Sequence, residues 1–117
     1  MELSTSQLAG IPVIRIRGEI DHGNASTLST AIDDVLDADQ HVVLLDVTQV
    51  DYMDSGGISV LLSALRRLRE RGWLGIINPN TNVRRLIQIV GLALDSSFRV
   101  FDDDAAAEQA LRETART

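Results

Sequence analysis

The segment best suited to chemistry is residues 46–58, DVTQVDYMDSGGI, in which a serine follows an aspartate and precedes two glycines. A serine hydroxyl can act as a nucleophile or accept a phosphate from a kinase. Gly56 and Gly57 lack side chains that would shield the Ser55 hydroxyl, so another protein or a nucleotide could come close to it. Asp54 or Ser55 could also be the N-cap of a helix, and a cap can itself be a phosphoacceptor.

Hydrolysis by Ser55 would need a histidine base, and the sequence contains two candidates, His22 and His41. His41 opens a strand-like run, whereas His22 is a loop residue that reaches Ser55 only if the fold allows it. The helical periodicity around the serine and the lack of a G-x-S-x-G elbow do not fit serine hydrolases. We therefore expect no enzymatic activity and no catalytic residue.

Metal and cofactor sites are not expected either. The sequence has no cysteine, no H-E-x-x-H pair and no glycine-rich phosphate loop. Asp51 and Asp54 could hold a cation between them, but residues of this type are more often a turn residue and a cap. The sequence thus predicts neither a bound metal nor a cofactor.

Strands that could position this segment follow from the pattern of apolar residues. Residues 3–17 alternate in polarity around an interruption at Ala9-Gly10, which predicts a hairpin at the edge of a sheet. Residues 41–47 contain an unbroken apolar run, typical of a central strand covered on both faces, and a polar turn is predicted at residues 48–54. Two short strands are predicted at residues 74–77 and 98–101.

Helices are predicted between these strands from apolar residues at helical spacing. Asn24 is the expected N-cap of the first helix, and Gly72 is expected to end the second as its C′ residue. Residues 78–80, NPN, are expected to break the chain and cap the third helix, and Gly91 is expected to end it. Residues 102–104, DDD, suit the positive end of the dipole of a fourth helix, which Ala107, Ala110 and Leu111 would dock.

Alternating strands and helices predict an α/β fold with a mixed sheet of about five strands, a parallel core with an antiparallel edge hairpin, and about four helices. No linker divides the chain, so residues 1–117 are predicted to form a single domain. The net charge of −6 argues against a nucleic-acid partner. The arginines at residues 66–71 are interpreted as a solvated helix face. The sequence shows neither a signal peptide nor a membrane span, which predicts a cytoplasmic protein.

Taken in their order along a chain of this length, the motifs resemble those of the STAS domain family, and within it those of the stand-alone bacterial anti-sigma-factor antagonists. The resemblance covers nearly the whole chain. It rests on residues 18–22 (GEIDH), the apolar strand ending at Asp46, and residues 50–57 (VDYMDSGG), with support from residues 82–86 (NVRRL) and Gly91-Leu92. Some family members carry a second serine where this chain has Gly56, a difference that leaves the phosphoacceptor in place.

The resemblance implies a STAS-like fold and a partner-switching cycle in transcription regulation and stress response. The unphosphorylated antagonist binds an anti-sigma factor serine kinase with a GHKL-type ATP-binding fold, and the sigma factor is released. The kinase phosphorylates the serine after the motif aspartate, here Ser55, and the antagonist then dissociates until a serine phosphatase restores it. The partner-binding residues so implied are Asp21, His22, Asn24, Asp54, Ser55, Gly56, Gly57, Gly91 and Leu92.

Two alternatives stay open from the residues alone. The same fold could be a non-phosphorylated scaffold module in a sensory complex. It could also be a small nucleotide-binding domain that uses a pocket around Ser55 and Asp54. The oligomeric state is expected to be a monomer or a weak dimer.

Overall fold

A computed structural model describes residues 1–115, and within them five strands and four α-helices are formed. The strands are β1 (Glu2–Leu8), β2 (Ile11–Ile20), β3 (Val42–Met53), β4 (Trp73–Ile77) and β5 (Phe98–Phe101). The helices are α1 (Ala25–Asp37), α2 (Ser55–Leu68), α3 (Thr81–Ile89) and α4 (Asp104–Ala115), with a short 3₁₀ turn at Leu92–Leu94. Residues 116 and 117, which the predicted domain includes, lie outside the described residues.

The strands lie side by side in chain order, with β1 antiparallel to β2 and the other neighbours parallel. This arrangement confirms the predicted mixed sheet with an antiparallel edge hairpin and β3 at its centre. The helices α1, α2 and α3 pack on one face of the sheet, where Leu28, Leu65 and Ile87 belong to a single buried cluster. This is expected when right-handed crossovers add successive strands in one direction. The α4 helix follows the last strand and packs on the opposite face, where Ala107 and Leu111 are buried with Val13, Leu44 and Trp73.

The hairpin turn between β1 and β2 is tight because both of its central residues have positive φ. Ala9 and Gly10 have φ values of 49° and 79°, and Leu8 pairs directly with Ile11. Two successive residues of this kind match a type I′ turn, whose twist suits the right-handed twist of the strands it joins.

The predicted polar turn at residues 48–54 is wrong, because β3 continues to Met53. Its extension pairs with β2, with Val50 opposite Gly18 and Met53 opposite Ile20, through two shifts of register. Thr48 and Gln49 are exposed because β4 pairs with β3 only as far as Asp46. The polar residues therefore mark the half-covered end of a long strand and not a loop.

The prediction that Gly72 ends α2 as a left-handed residue is also wrong. The helix ends at Leu68, and the residue with positive φ after it is Glu70, at 66°. A Cβ at residue 72 would lie 1.5 Å from the carbonyl oxygen of His41. Glycine is therefore required at this position because two backbone segments approach closely, and not because of a helix cap.

The other predicted helix ends are mostly confirmed. Asn80 caps α3, since its Oδ1 accepts a hydrogen bond from the Val83 N–H at 2.8 Å. Gly91 follows α3 in the left-handed conformation, with φ 78°. The Asp103 carboxylate accepts from the Ala106 N–H at the start of α4. Asn24 occupies the predicted N-cap position of α1, but its side chain makes no capping bond and instead bonds within the preceding loop.

Candidate functional site

Ser55 is the first residue of α2 and is exposed, directly beyond the carboxyl end of β3. The helix begins here because Asp54 is extended and its Oδ1 accepts a hydrogen bond from the Gly56 N–H at 2.7 Å. Asp54 is therefore the N-cap, which decides between the two candidates that the sequence left open. The Ser55 hydroxyl is not needed as a cap.

Asp54 also holds the loop between β2 and α1 against the start of α2. Its backbone N–H donates to the Ile20 carbonyl at 3.0 Å. Its Oδ2 accepts from the His22 N–H at 3.3 Å. One aspartate thus joins the ends of two neighbouring parallel strands to the first turn of the helix.

Asp21 and Asn24 shape this loop from within. Asp21 Oδ1 accepts hydrogen bonds from the backbone N–H groups of Gly23 and Asn24, at 2.9 and 3.1 Å. Asn24 Oδ1 accepts from the Asp21 N–H, and its Nδ2 donates to the Glu19 carbonyl, both at 2.9 Å. The two side chains are therefore occupied in folding the loop that presents His22.

His22 lies between Asp54 and Ser55. Its Nδ1 is 3.0 Å from Asp54 Oδ2, and its Nε2 is 3.4 Å from Ser55 Oγ. The fold thus makes the contact that the sequence left conditional. A carboxylate can only accept, so Nδ1 carries the hydrogen in the neutral ring and Nε2 is left to accept from the serine. The three side chains form one chain of hydrogen bonds.

The pKa of the Asp54 carboxyl is lowered by this arrangement. Desolvation on its own would raise that pKa, but hydrogen bonds from the His22 ring and from the Gly56 and His22 N–H groups outweigh it. The Asp54 side chain is 22% exposed, whereas the His22 side chain is 72% exposed. At neutral pH the site therefore holds an ionised carboxylate beneath an accessible histidine ring.

Gly56 and Gly57 are buried, and packing explains both. A Cβ on Gly56 would lie 2.9 Å from the N and Cα atoms of His22, and a Cβ on Gly57 would lie 2.5 Å from Met53 Cγ. From the sequence, the two glycines are expected to leave the Ser55 hydroxyl accessible to a partner. The structure adds a second reason, because the backbone of the His22 loop can approach α2 only if residue 56 has no side chain.

Gly91 and Leu92 lie away from this site. Leu92 is 3% exposed and belongs to the main core. Arg69, just beyond the carboxyl end of α2, pairs with Asp95 after the 3₁₀ turn at 3.2 Å. Because α2 has 14 residues, its two ends are about 20 Å apart. The structure therefore brings Asp21, His22, Asn24, Asp54 and Ser55 together but does not bring Gly91-Leu92 to them.

A second polar cluster, which sequence reasoning missed, lies on the face of the sheet that α4 covers. Arg15 Nη1 is 2.7 Å from Asp46 Oδ2, and Arg15 Nη2 is 3.3 Å from Asp104 Oδ2. Desolvation would raise the pKa of the Asp46 carboxyl, but hydrogen bonds from Thr48 and Arg15 lower it. Arg15 alternates with apolar residues along β2, and that pattern could have marked it as facing a polar partner.

A cavity of about 640 Å³ lies beside the Arg15–Asp46 pair, and neither Ser55 nor Asp54 contributes to its lining. The groove next to His22 is smaller, about 250 Å³, and lies between α1 and α2. The arginines at residues 66–71 are exposed, as predicted, but only Arg66 and Arg67 lie on α2, because the helix ends at Leu68. Arg67 pairs with Asp33 and Asp37 of α1.

Residues 1–115 contain neither a metal-binding cluster nor a membrane-spanning helix. In this part of the chain, no three acidic or histidine side chains are grouped so that they could hold a metal ion. Nor do the same residues include a helix that is both long enough and apolar enough to cross a bilayer.

Comparison with known proteins identifies the family. The STAS domain model matches residues 2–107, so the chain belongs to the STAS domain family. The anti-sigma-F factor antagonist RsfB of Mycobacterium tuberculosis is 29% identical over 92 residues, which are 79% of this chain and 74% of the relative.

Solved structures have the same fold. An anti-sigma factor antagonist from Mycobacterium paratuberculosis superposes with a TM-score of 0.83 at 25% identity, covering 95% of this chain and 93% of that one. The Bacillus cell fate determinant SpoIIAA in its phosphorylated form superposes with a TM-score of 0.71 at 20% identity, covering 93% of this chain and 99% of that one. At that identity, the second likeness concerns the fold alone.

Proposed function

We propose that this protein is an anti-sigma-factor antagonist of the bacterial cytoplasm that is switched off by phosphorylation of Ser55. In its unphosphorylated form it binds an anti-sigma factor serine kinase with a GHKL-type ATP-binding fold and so frees a sigma factor. A serine phosphatase resets the switch. The observation that carries the proposal is an exposed serine at the start of α2 whose helix is capped by its neighbour Asp54.

A phosphate on Ser55 is compatible with the fold. The start of α2 carries the partial positive charge of the helix dipole, which favours an added anion. Ser55 is exposed and makes no capping bond that phosphorylation would break. The modification should therefore leave the protein folded, and its effect must lie in the contact with a partner.

The surroundings of Ser55 explain why phosphorylation would release a partner. Asp54 and Asp21 lie at the site, and Asp51 precedes it on β3. A phosphate adds about −1.5 to −2 charges, and an interface would have to desolvate these beside carboxylates that are already there. An acidic surface on the partner would also be repelled.

A pull-down from cell extract tests the proposal, with wild type, Ser55→Ala and Ser55→Asp as baits. We expect wild type and Ser55→Ala to capture an ATP-binding kinase and Ser55→Asp to lose it. Intact-mass analysis of the wild-type protein from cells should show a gain of about 80 Da, one phosphate group, on Ser55.

The Ser55→Ala variant is the matched control, because it removes the acceptor hydroxyl without adding charge. Equal capture by all three baits, with no added mass on the wild type, would contradict the switch and favour a passive scaffold. Circular dichroism should be the same for all three, so that a lost contact is not mistaken for a lost fold.

A further inference from the structure

We propose that His22 is the base that receives the proton of Ser55 when this serine accepts a phosphoryl group. The inference rests on the proposed phosphorylation of Ser55 and names the residue that activates the acceptor. The antagonist would thus supply its own base rather than depend entirely on its kinase for one.

The positions of three side chains carry the inference. His22 Nε2 is 3.4 Å from Ser55 Oγ, and His22 Nδ1 is 3.0 Å from Asp54 Oδ2. A nucleophile within reach of a base, with the base oriented by a third group, is the arrangement that activates a serine. The 3.4 Å separation is long, as is common before a reaction partner binds and tightens such contacts.

The orienting carboxylate is itself held in place. Asp54 Oδ1 accepts from the Gly56 N–H at 2.7 Å, and Oδ2 accepts from the His22 N–H at 3.3 Å as well as from the ring. Its position is therefore set by α2 and by the His22 loop together. An imidazole that binds such a carboxylate through Nδ1 presents Nε2 as the proton acceptor.

In the proposed reaction, the phosphoryl group comes from a nucleoside triphosphate that the kinase supplies. Ser55 Oγ attacks the γ-phosphorus, the new Oγ–P bond forms, and the bond from this phosphorus to the β,γ-bridging oxygen breaks. The nucleoside diphosphate leaves with that electron pair, and the hydroxyl proton moves to His22 Nε2. The resulting imidazolium lies between the Asp54 carboxylate and the new phosphate and is attracted to both.

Few other charges act on His22. The groove beside it is lined by uncharged residues of α1 and α2, namely Ala25, Ser26, Ser29, Gly56, Ser59, Val60 and Ser63. The Asp21 carboxylate binds the N–H groups of Gly23 and Asn24. Glu19 precedes the loop on β2, and Asp51 lies on β3. Of the acidic side chains near the loop, Asp54 is the one that contacts the His22 ring directly.

The same site is poorly arranged for acyl transfer. An oxyanion hole needs backbone donors free to meet a developing negative charge. The Gly56 N–H, which directly follows Ser55, already donates to Asp54 Oδ1. The geometry therefore points to an activated phosphoacceptor and not to a hydrolase.

A fluorophosphonate reagent tests the inference without a kinase. The reaction forms an Oγ–P bond, expels fluoride and transfers the same proton. The rate of Ser55 modification is followed by intact mass from about pH 5 to pH 9, which includes the range in which histidine side chains ordinarily change charge. The proteins compared are wild type, His22→Gln, His41→Gln and Ser55→Ala.

We expect the wild-type rate to rise with pH and then level off, the profile of a reaction in which a histidine acts as base. His22→Gln should react roughly tenfold or more slowly at pH 8 and lack this step, since glutamine cannot take the proton. His41→Gln is the matched control, because His41 is exposed and precedes β3 at the opposite end of that strand from Ser55. Its rate should equal that of wild type, and Ser55→Ala should not react.

Equal rates for wild type and His22→Gln at every pH would overturn the inference, including the case in which neither protein reacts. The His22 side chain is 72% exposed, so the substitution should not unfold the protein, and thermal melting checks this. Failure of the His22 inference can be distinguished from failure of the proposed function. Phosphate on Ser55 in cells without His22-dependent labelling defeats only the inference, and His22-dependent labelling without a captured kinase defeats only the switch.

Discussion

Two aspartates, Asp46 within β3 and Asp54 just after it, have lowered pKa values, and they differ in partner and exposure. Asp46 pairs with Arg15, and the two side chains are 14% and 29% exposed. Asp54 pairs with His22, which is 72% exposed and contacts Ser55. Arginine keeps its charge at any physiological pH, whereas histidine gains or loses a proton. The first pair suits a permanent structural contact and the second a reactive one.

The two faces of the sheet explain this difference. Three helices cover the face beside Ser55, and the loop before α1 reaches the start of α2 only because both follow neighbouring strands. The opposite face carries α4, whose first residue Asp104 completes the Arg15 cluster. One cluster is thus built from a loop that a partner can reach, and the other from a helix that closes over the sheet.

The largest expected effect concerns partner binding. Ser55→Asp should weaken binding of the captured kinase by about 100-fold or more, near 2.7 kcal/mol, because a buried charge meets other carboxylates. Asp46→Asn should leave the affinity unchanged, and calorimetric titration measures both. Similar losses in the two variants would erase the distinction between the reactive and structural sites.

The next effect concerns stability. Asp46→Ala should lower the free energy of unfolding by about 2 kcal/mol, because Arg15 is left partly buried without its closest partner. Urea unfolding measures the change. The double variant Arg15→Ala/Asp46→Ala should recover part of the loss, and a double variant less stable than either single one would count against this explanation.

Gly56→Ala should separate His22 from Ser55 at a cost of about 1–2 kcal/mol, since the new methyl group meets the backbone of His22. Proton NMR of the His22 ring would detect the lost contact. Gly57→Ala is a useful comparison, because the atom closest to its Cβ belongs to the flexible Met53 side chain. An unchanged His22 environment in Gly56→Ala would mean that the loop is not held as described.

The smallest effect is on stability in acid. Asp46 and Asp54 have lowered pKa values in the folded protein, so each stabilises it above the ordinary aspartate pKa of about 3.9. This contribution is lost as the pH falls through the folded-state pKa. Asp46→Asn should therefore flatten the acid limb of a stability–pH curve, and 1 M salt should not, since Asp46 is mostly buried. A limb as steep as in wild type would contradict this.

Much of the fold could be predicted because its signals are local. The apolar spacing of Leu28 and Ile32 marks the face that α1 buries, and the Asn80 cap and the Gly91 stop act within a few residues. Such signals depend on the helix period and on backbone conformation, which a short segment already contains. The position of the exposed Ser55 after the capping residue Asp54 is also a local signal of this kind.

The errors arose where a residue's role depends on a distant segment. The polar residues at 48 and 49 resemble a loop until β4 is seen to end early, and Gly72 resembles a helix stop until the His41 carbonyl is placed beside it. The contact at the candidate site also depends on segments that are distant in sequence. His22 and Ser55 are 33 residues apart and meet because β2 and β3 are parallel neighbours.

The order of strands and helices, the cap at the start of α3 and the serine after Asp54 could be read from the sequence, since they follow from periodicity and local hydrogen bonding. Tertiary structure decided which groups touch that serine, because the position of His22 depends on strand pairing and on the close approach that Gly56 permits. Local interactions set which residue is exposed at the start of the helix, and long-range packing sets which side chain lies beside it.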